Sequence, residues 1–305
     1  MSVATTTGLA SSPPSAIRLL LMFSFMVTVW SLSFVVIKYV SREIPPVMLT
    51  AMRGAGSALV MIPVGIWDAR RHPHSRWNWA DFPKLFLVAS CGITFNHLLF
   101  VMGVSRTSVA HSSIVMALMP AVVLVLAIVA GQERATLTRF LGMAIALAGV
   151  TLLQLRRGAE GIASPVGDLL VFAGASAFAC YTVLGKSLTS RYGAIYVTTL
   201  SFVIGASSQV PIWWFFGERV DPARISALAW ISLAYLVVIH TVICYLIFYQ
   251  LLTHVSASRV SLFGYIQPVL ASLFAWVLLA EPVTAGIVAG GVLVGAGVWL
   301  AERRG

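Results

Sequence analysis

The sequence predicts an all-α integral membrane protein, ten transmembrane helices arranged as two inverted five-helix repeats. Three observations carry that prediction. Of 305 residues, 59% are hydrophobic and only 10% are charged, and the mean hydropathy is +0.93. The apolar residues come in runs of about 20, the length that crosses a ~30 Å hydrocarbon core. The chain also matches itself at an offset of 148 residues. Soluble domains keep roughly a quarter of their residues charged. A chain this apolar could not wet its own surface, so its solvent is lipid.

The expected spans are 17–40, 46–67, 85–104, 108–130 and 138–155, then 166–186, 194–216, 226–250, 257–280 and 283–301. The Ser-, Thr- and Pro-rich stretch 1–16 reads as a disordered tail. The first span is longer than the apolar core of a signal peptide and lacks a small-residue cleavage pattern, so it counts as a span. It carries a polar stripe, Ser24, Thr28, Ser31 and Lys38, at helical spacing. The second holds Arg53 about 10 Å inside its outer end, at ~1.5 Å per residue. Asn96 and His97 sit at the centre of the third, and Pro120 near the middle of the fourth. The sixth opens on Asp168. The eighth centres on His240, the ninth on Gln267 and Pro268, and the tenth bears the stripe Gly286, Gly290, Gly291 and Gly295, whose spacing permits close helix packing.

The net charge of +10 does not point to nucleic acid, because Lys and Arg lie in short connections between apolar runs. The face carrying both termini holds 12 of them and the opposite face 6, which predicts cytoplasmic termini and the cytoplasmic (inner) membrane. Arg156 and Arg157 are the local exception. Cys91, Cys180 and Cys244 fall inside apolar runs with no ligand spacing and read as small core residues.

At the offset of 148, Lys38 meets Lys186, Pro63 meets Pro211, Pro120 meets Pro268, Glu133 meets Glu281, Thr136 meets Thr284, Gly142 meets Gly290 and Gly149 meets Gly297. Five helices per copy, an odd number, turn the second copy over in the membrane. Inverted repeats recur in secondary transporters, with the substrate site at the repeat interface near mid-membrane. The expected units are 17–156 and 166–301.

These residues resemble the drug/metabolite transporter superfamily, in the form with two EamA-type domains. The resemblance rests on Trp30-Ser31 with Phe34 and Lys38 in the first span. It also rests on the stretch with Ser113, Pro120, Glu133, Gly142 and Gly149, which recurs with Ser261, Pro268, Glu281, Gly290 and Gly297. It implies ten helices, cytoplasmic termini, export of amino acids or similar metabolites, and a cavity between the halves with the fifth and tenth helices outside it.

Polar groups at mid-depth are costly and are site candidates by default. Asn96 pairs with Cys244 under the offset and His240 with Gly92, so both lie on one equivalent helix face. With His97 and Gln267 they form the expected polar lining. Trp30, opposite Phe178 under the offset, joins Tyr181, Tyr245 and Tyr265 as aromatic lining for an apolar side chain. Arg53 and Lys38 are candidates to hold a substrate carboxylate, with snorkelling to the interface as the plain alternative. Pro120 and Pro268 remove a backbone donor within their spans and are the expected hinges. No Asp or Glu falls in the central third of any span; His97 and His240 are the groups that could carry a proton.

The expected partners are a small-molecule substrate and membrane lipid, not nucleic acid, with no cofactor; the oligomeric state stays open. A channel or a membrane-embedded enzyme is the alternative reading. Neither a filter-like stretch, a P-loop nor a catalytic motif such as H-E-x-x-H is present in the sequence.

Overall fold

The computed structural model describes residues 15–71, 77–107, 109–134, 136–155, 164–279 and 285–302. The tail expected over 1–16 lies outside these, except for Ser15 and Ala16, as do Glu281 and Thr284 of the repeat. The described chain is helical: α1 Ala16–Val40, α2 Pro46–Arg71, α3 Trp79–Arg106, α4 Val109–Met116, α5 Met119–Val129 and α6 Leu137–Leu155. There follow α7 Pro165–Tyr192, α8 Ala194–Phe216, α9 Ala227–His254, α10 Ala257–Ser261, α11 Phe263–Leu279 and α12 Ala285–Glu302. Six of these, α1, α2, α3, α7, α8 and α9, are long and apolar enough to cross a membrane. Large apolar side chains on the outside, among them Leu59, Val129, Leu137, Phe215 and Val292, face outward as a lipid-solvated surface requires. This is a membrane protein.

Helix starts follow from local chemistry. Ser15, Ser164, Ser226 and Ser256 each accept a hydrogen bond from a backbone N–H in the first turn that follows, which satisfies a donor the helix itself cannot. Gly193 separates α7 from α8 at φ 86°, a conformation in which a side chain would be strained.

The spans expected at 108–130 and 257–280 are each interrupted. Pro120 lacks an N–H for the carbonyl of Met116, and the chain breaks over Ala117–Leu118 before α5. In the other half the break falls at Leu262, and Pro268 lies inside the continuous α11. The two prolines therefore sit in unlike backbone settings. Four spans, α2, α3, α7 and α9, are longer than hydropathy suggested. α3 opens at Trp79 on a 3-10 turn capped by Asn78, and α9 runs on to His254.

Two helices contain π-helical segments, Ser90–Phe95 in α3 and Leu236–Ile243 in α9. Both end at equivalent positions, since α-helix resumes at Asn96 and at Cys244, 148 residues apart. A π segment widens the helix and leaves carbonyls without regular partners. Side chains of neighbouring helices supply donors: Gln209 Nε2 donates to Ile93 O at 2.6 Å and Trp30 Nε1 to His240 O at 3.0 Å. α2 lies along the π segment of α9, and α8 along that of α3.

α6 and α12 pack differently, backbone against backbone. A Cβ added at Gly142 would stand 2.5 Å from Ala301 N, and one at Gly297 2.4 Å from Ala146 N. Gly149 meets the carbonyl of Gly290 in the same way. Glycine is needed here because no side chain fits between the helices.

Candidate functional site

A cavity of about 50 Å³ lies between α1, α2, α3, α4, α7, α9 and α11. That is room for a few water molecules at roughly 10–15 Å³ each. An organic solute must displace side chains to enter. Trp30, Ser33 and Phe34 line it from α1 and Arg53 from α2. Asn96 and Phe100 come from α3, Met116 from α4 and Phe178 from α7. His240 and Tyr245 of α9 and Phe263 and Gln267 of α11 complete the wall.

Arg53 is the dominant electrostatic feature. Its side chain is 2% exposed, and Nε and Nη1 have no hydrogen-bond partner. A buried charge without a partner is strongly destabilising. Four of the described carboxylates are engaged elsewhere. Glu43 accepts from Ser226, Asp81 from Arg191 and Tyr192, Glu133 from Arg139 and Ser258, and Asp168 from Thr107. No Asp or Glu stands among the described residues that line the cavity. A carboxylate at the guanidinium would receive a charge-assisted hydrogen bond from Nε or from Nη1, which lie on opposite sides of the group.

The apolar part of the wall is built around Trp30. Its ring centroid lies 4.7 Å from Phe263, 5.6 Å from Phe248, 5.7 Å from Phe178 and 6.0 Å from Tyr245, mostly edge to face. Such pairs contribute about 0.5–1.5 kcal/mol each beyond burial. The bond from Trp30 Nε1 to the π-segment carbonyl of His240 fixes the indole at the cavity edge.

Behind Tyr245 stands a buried polar network. His97 Nε2 lies 2.7 Å from the tyrosine hydroxyl, which also approaches Gly92 O at 3.3 Å and Asn96 Oδ1 at 3.4 Å. A hydroxyl has one proton to give. If Nε2–H donates to the tyrosine oxygen, that proton goes to Gly92 or Asn96, and His97 Nδ1 keeps a lone pair with no partner. Asn96 is held in turn by its Nδ2 donating to Gly174 O at 3.0 Å. Gly92 leaves room for the Tyr181 ring; a Cβ there would come within 1.9 Å of it.

The residues singled out in the sequence thus divide into groups. Trp30, Arg53, Asn96, His240, Tyr245 and Gln267 meet at the cavity, and the Gln267 Oε1 oxygen has no partner. His97 lies one residue back, bonded to Tyr245. Tyr181 stacks on Tyr249 at 4.8 Å, and its hydroxyl lies outside the wall. Tyr265 sits apart, in a smaller core with Ala117, Met143 and Val294. Lys38 is not at the cavity. Its ammonium donates to the carbonyls of Val104, Ser105 and Thr107 and closes the C-terminal end of α3, where a cation also suits the helix dipole. Lys186 does the same for α9 through Val255 O at 3.1 Å. Pro120 packs beside Gly264, and Pro268 follows the cavity residue Gln267.

Ser33, Phe34, Phe100, Met116 and Phe263 escaped sequence reasoning because each looks like ordinary core. Two signals were available. Ser33 and Phe34 fall three and four residues beyond Trp30, on its helix face. Phe100 and Phe248 are equivalent under the 148-residue offset, and both belong to the aromatic group around the cavity.

Comparison with known proteins gives concordant results. An archaeal protein of Archaeoglobus fulgidus, described as an uncharacterized transporter, is 30% identical over 284 residues, 93% of this chain and 98% of its own. The uncharacterized transporter YyaM of Bacillus subtilis is 28% identical over 88% of each chain. YddG of Salmonella typhimurium, described as an aromatic amino acid exporter, is 25% identical over 91% of this chain and 95% of its own. A solved crystal structure with 19% identity superposes at TM-score 0.76, covering 94% of this chain and 97% of the other, so the fold is shared. The family described as EamA-like transporters matches twice, over residues 17–155 and 165–302, and the relatives are transporters rather than enzymes. The chain therefore belongs to the EamA-like transporter family.

Proposed function

We propose that this protein is a secondary transporter that exports small carboxylate-bearing metabolites, amino acids or related compounds, across the cytoplasmic membrane by alternating access. The observation that carries the reading is Arg53, a buried guanidinium whose Nε and Nη1 are unpartnered, at the edge of an aromatic cavity. It is a site for a carboxylate joined to an apolar body. The description of YddG as an aromatic amino acid exporter agrees with that chemistry.

The architecture proposed with it is two inverted five-helix repeats, 17–156 and 166–301, with both termini cytoplasmic. Residues on a pseudo-two-fold axis touch their own counterparts, and several pairs 148 apart do so. Trp30 meets Phe178, His97 meets Tyr245, and Met116 O meets Gly264. The Gly142–Gly297 contact has its equivalent in Gly149–Gly290. The excess of Lys and Arg on the terminal face, 12 against 6, supports the orientation. Rocking of one half on the other would open the cavity to each side in turn.

Efflux from proteoliposomes loaded with a panel of labelled amino acids and organic acids tests the proposal. Saturable flux of one class in the wild type, reduced about a hundredfold or more in Arg53→Gln, is expected from loss of a buried charge-assisted contact. Flux that rises linearly with concentration, or is untouched by Arg53→Gln, would turn the assignment toward a channel or a different site.

A further inference from the structure

Resting on that carboxylate reading, we infer that the cavity selects substrates of net charge −1: apolar or aromatic carboxylates whose amine is absent or capped, in preference to the zwitterionic parent amino acids. The chain has ten acidic residues: Glu43, Asp68, Asp81, Glu133, Glu160, Asp168, Glu218, Asp221, Glu281 and Glu302. In the sequence each of them lies in a connection or near the end of an expected span, and none of those among the described residues lines the cavity. Arg53 brings one positive charge to the cavity, and the other polar groups on its wall are neutral serine, asparagine, glutamine and tyrosine side chains and the His240 imidazole.

The arithmetic then separates ligands. A bound monoanion cancels the guanidinium and leaves the enclosed site neutral. A bound zwitterion leaves one uncompensated positive charge among rings, where the low dielectric makes it costly. The α-ammonium is also attached to the carbon that bears the carboxylate, so engaging Arg53 brings two cations close together. The wall offers an acceptor, Gln267 Oε1, which has no partner. An amide oxygen satisfies a neutral donor such as an amide or indole N–H fully, but supplies no counter-charge to an ammonium. A zwitterionic ligand would be better served by a carboxylate at that position. The aromatic faces of Trp30 and Tyr245 attract cations only modestly by comparison with an ion pair.

Calorimetric titration of the detergent-purified full chain near pH 7 tests this with 3-phenylpropionate, N-acetyl-L-phenylalanine, L-phenylalanine and L-phenylalaninamide, which share one ring and differ in charge. The two monoanions are expected to bind about tenfold or more tightly than phenylalanine, with phenylalaninamide weakest. Arg53→Gln should erase the preference and Arg53→Lys retain it. The wild-type series stands alone should either variant fail to fold. Phenylalanine bound as tightly as phenylpropionate overturns the charge argument and leaves the carboxylate carrier in place. No binding of any carboxylate removes both. Displacement of the monoanions by chloride at equal affinity also overturns it, since the guanidinium would then be an inorganic-anion site.

Discussion

Equivalent positions of the two halves, 148 residues apart, behave in opposite ways at the periphery and at the centre. At the periphery they are identical: Gly142 and Gly290, Gly149 and Gly297, Lys38 and Lys186, Pro63 and Pro211. Around the cavity the aromatic pair Phe100 and Phe248 is alike, but the polar positions differ: Arg53 stands opposite Ser201, His240 opposite Gly92, Asn96 opposite Cys244 and Gln267 opposite Met119, and Trp30 stands opposite Phe178. The identical glycines and lysines hold backbone in place, by close approach or by an ammonium on free carbonyls. The unlike positions give a duplicated sequence a lopsided interior, with the Arg53 cation contributed by the first half alone. Architecture tolerates duplication; recognition of an asymmetric solute does not.

Substitutions at paired positions test whether the halves differ in this way. Arg53→Ser is expected to abolish saturable flux, and adding Ser201→Arg should recover part of it, because the two positions are equivalent. Flux counted in proteoliposomes decides; no recovery would mean that the halves do not place those side chains alike. Next, Gly297→Leu should cost about 3 kcal/mol or more, since a bulky side chain is forced between two backbones. Thermal unfolding in detergent measures it, while Gly295→Leu, which meets open space, should leave Tm nearly unchanged.

Smaller effects follow. Tyr245→Phe removes the hydroxyl from the His97 network and should cost about 1–2 kcal/mol, visible as a lower Tm with ligand charge preference intact. Lys38→Met should destabilise more than Lys186→Met, because Lys38 holds three carbonyls and Lys186 one. The smallest effect is in the exposed connection before α2. Hydrogen bonds from the Ser226 N–H and hydroxyl hold the Glu43 carboxyl below its usual range. Its contribution is present above the unfolded carboxylate pKa and is lost as pH falls through the depressed folded value. Glu43→Gln should therefore flatten a slight acid-side slope in Tm.

Much of this was legible in the sequence, for reasons that differ by feature. Composition and run length made the lipid environment plain, since an apolar surface has no other stable solvent. Pro120 announced a break in its span through the missing N–H. Pro268 did not produce one, because the chain turns earlier, at Leu262, and hydropathy carries no trace of that turn. Arg53 and His240 were readable as cavity residues from the cost of burying them. Lys38 is a weaker candidate, for which snorkelling to the interface is the favoured reading, yet its long stem carries the ammonium to helix-end carbonyls contributed by a stretch of sequence some 66 to 69 residues away. Long-range satisfaction of that kind is invisible to spacing. The π segments were likewise hidden, because a widened turn has the same composition as a regular one.

The π segments have one more implication. Each places an extra residue in a single turn of a helix that touches the other half, and its surplus carbonyls are held by the side chains of Trp30 and Gln209 rather than by the helix itself. Such a turn can migrate along its helix by exchanging one hydrogen bond at a time, rotating the side chains it passes without unwinding the rest. In α9 that rotation would carry His240 around the helix axis together with the outward-facing Val238, Ile239 and Ile243, so a local slip of backbone register would reshape the wall of the cavity and the outer face of the same turn.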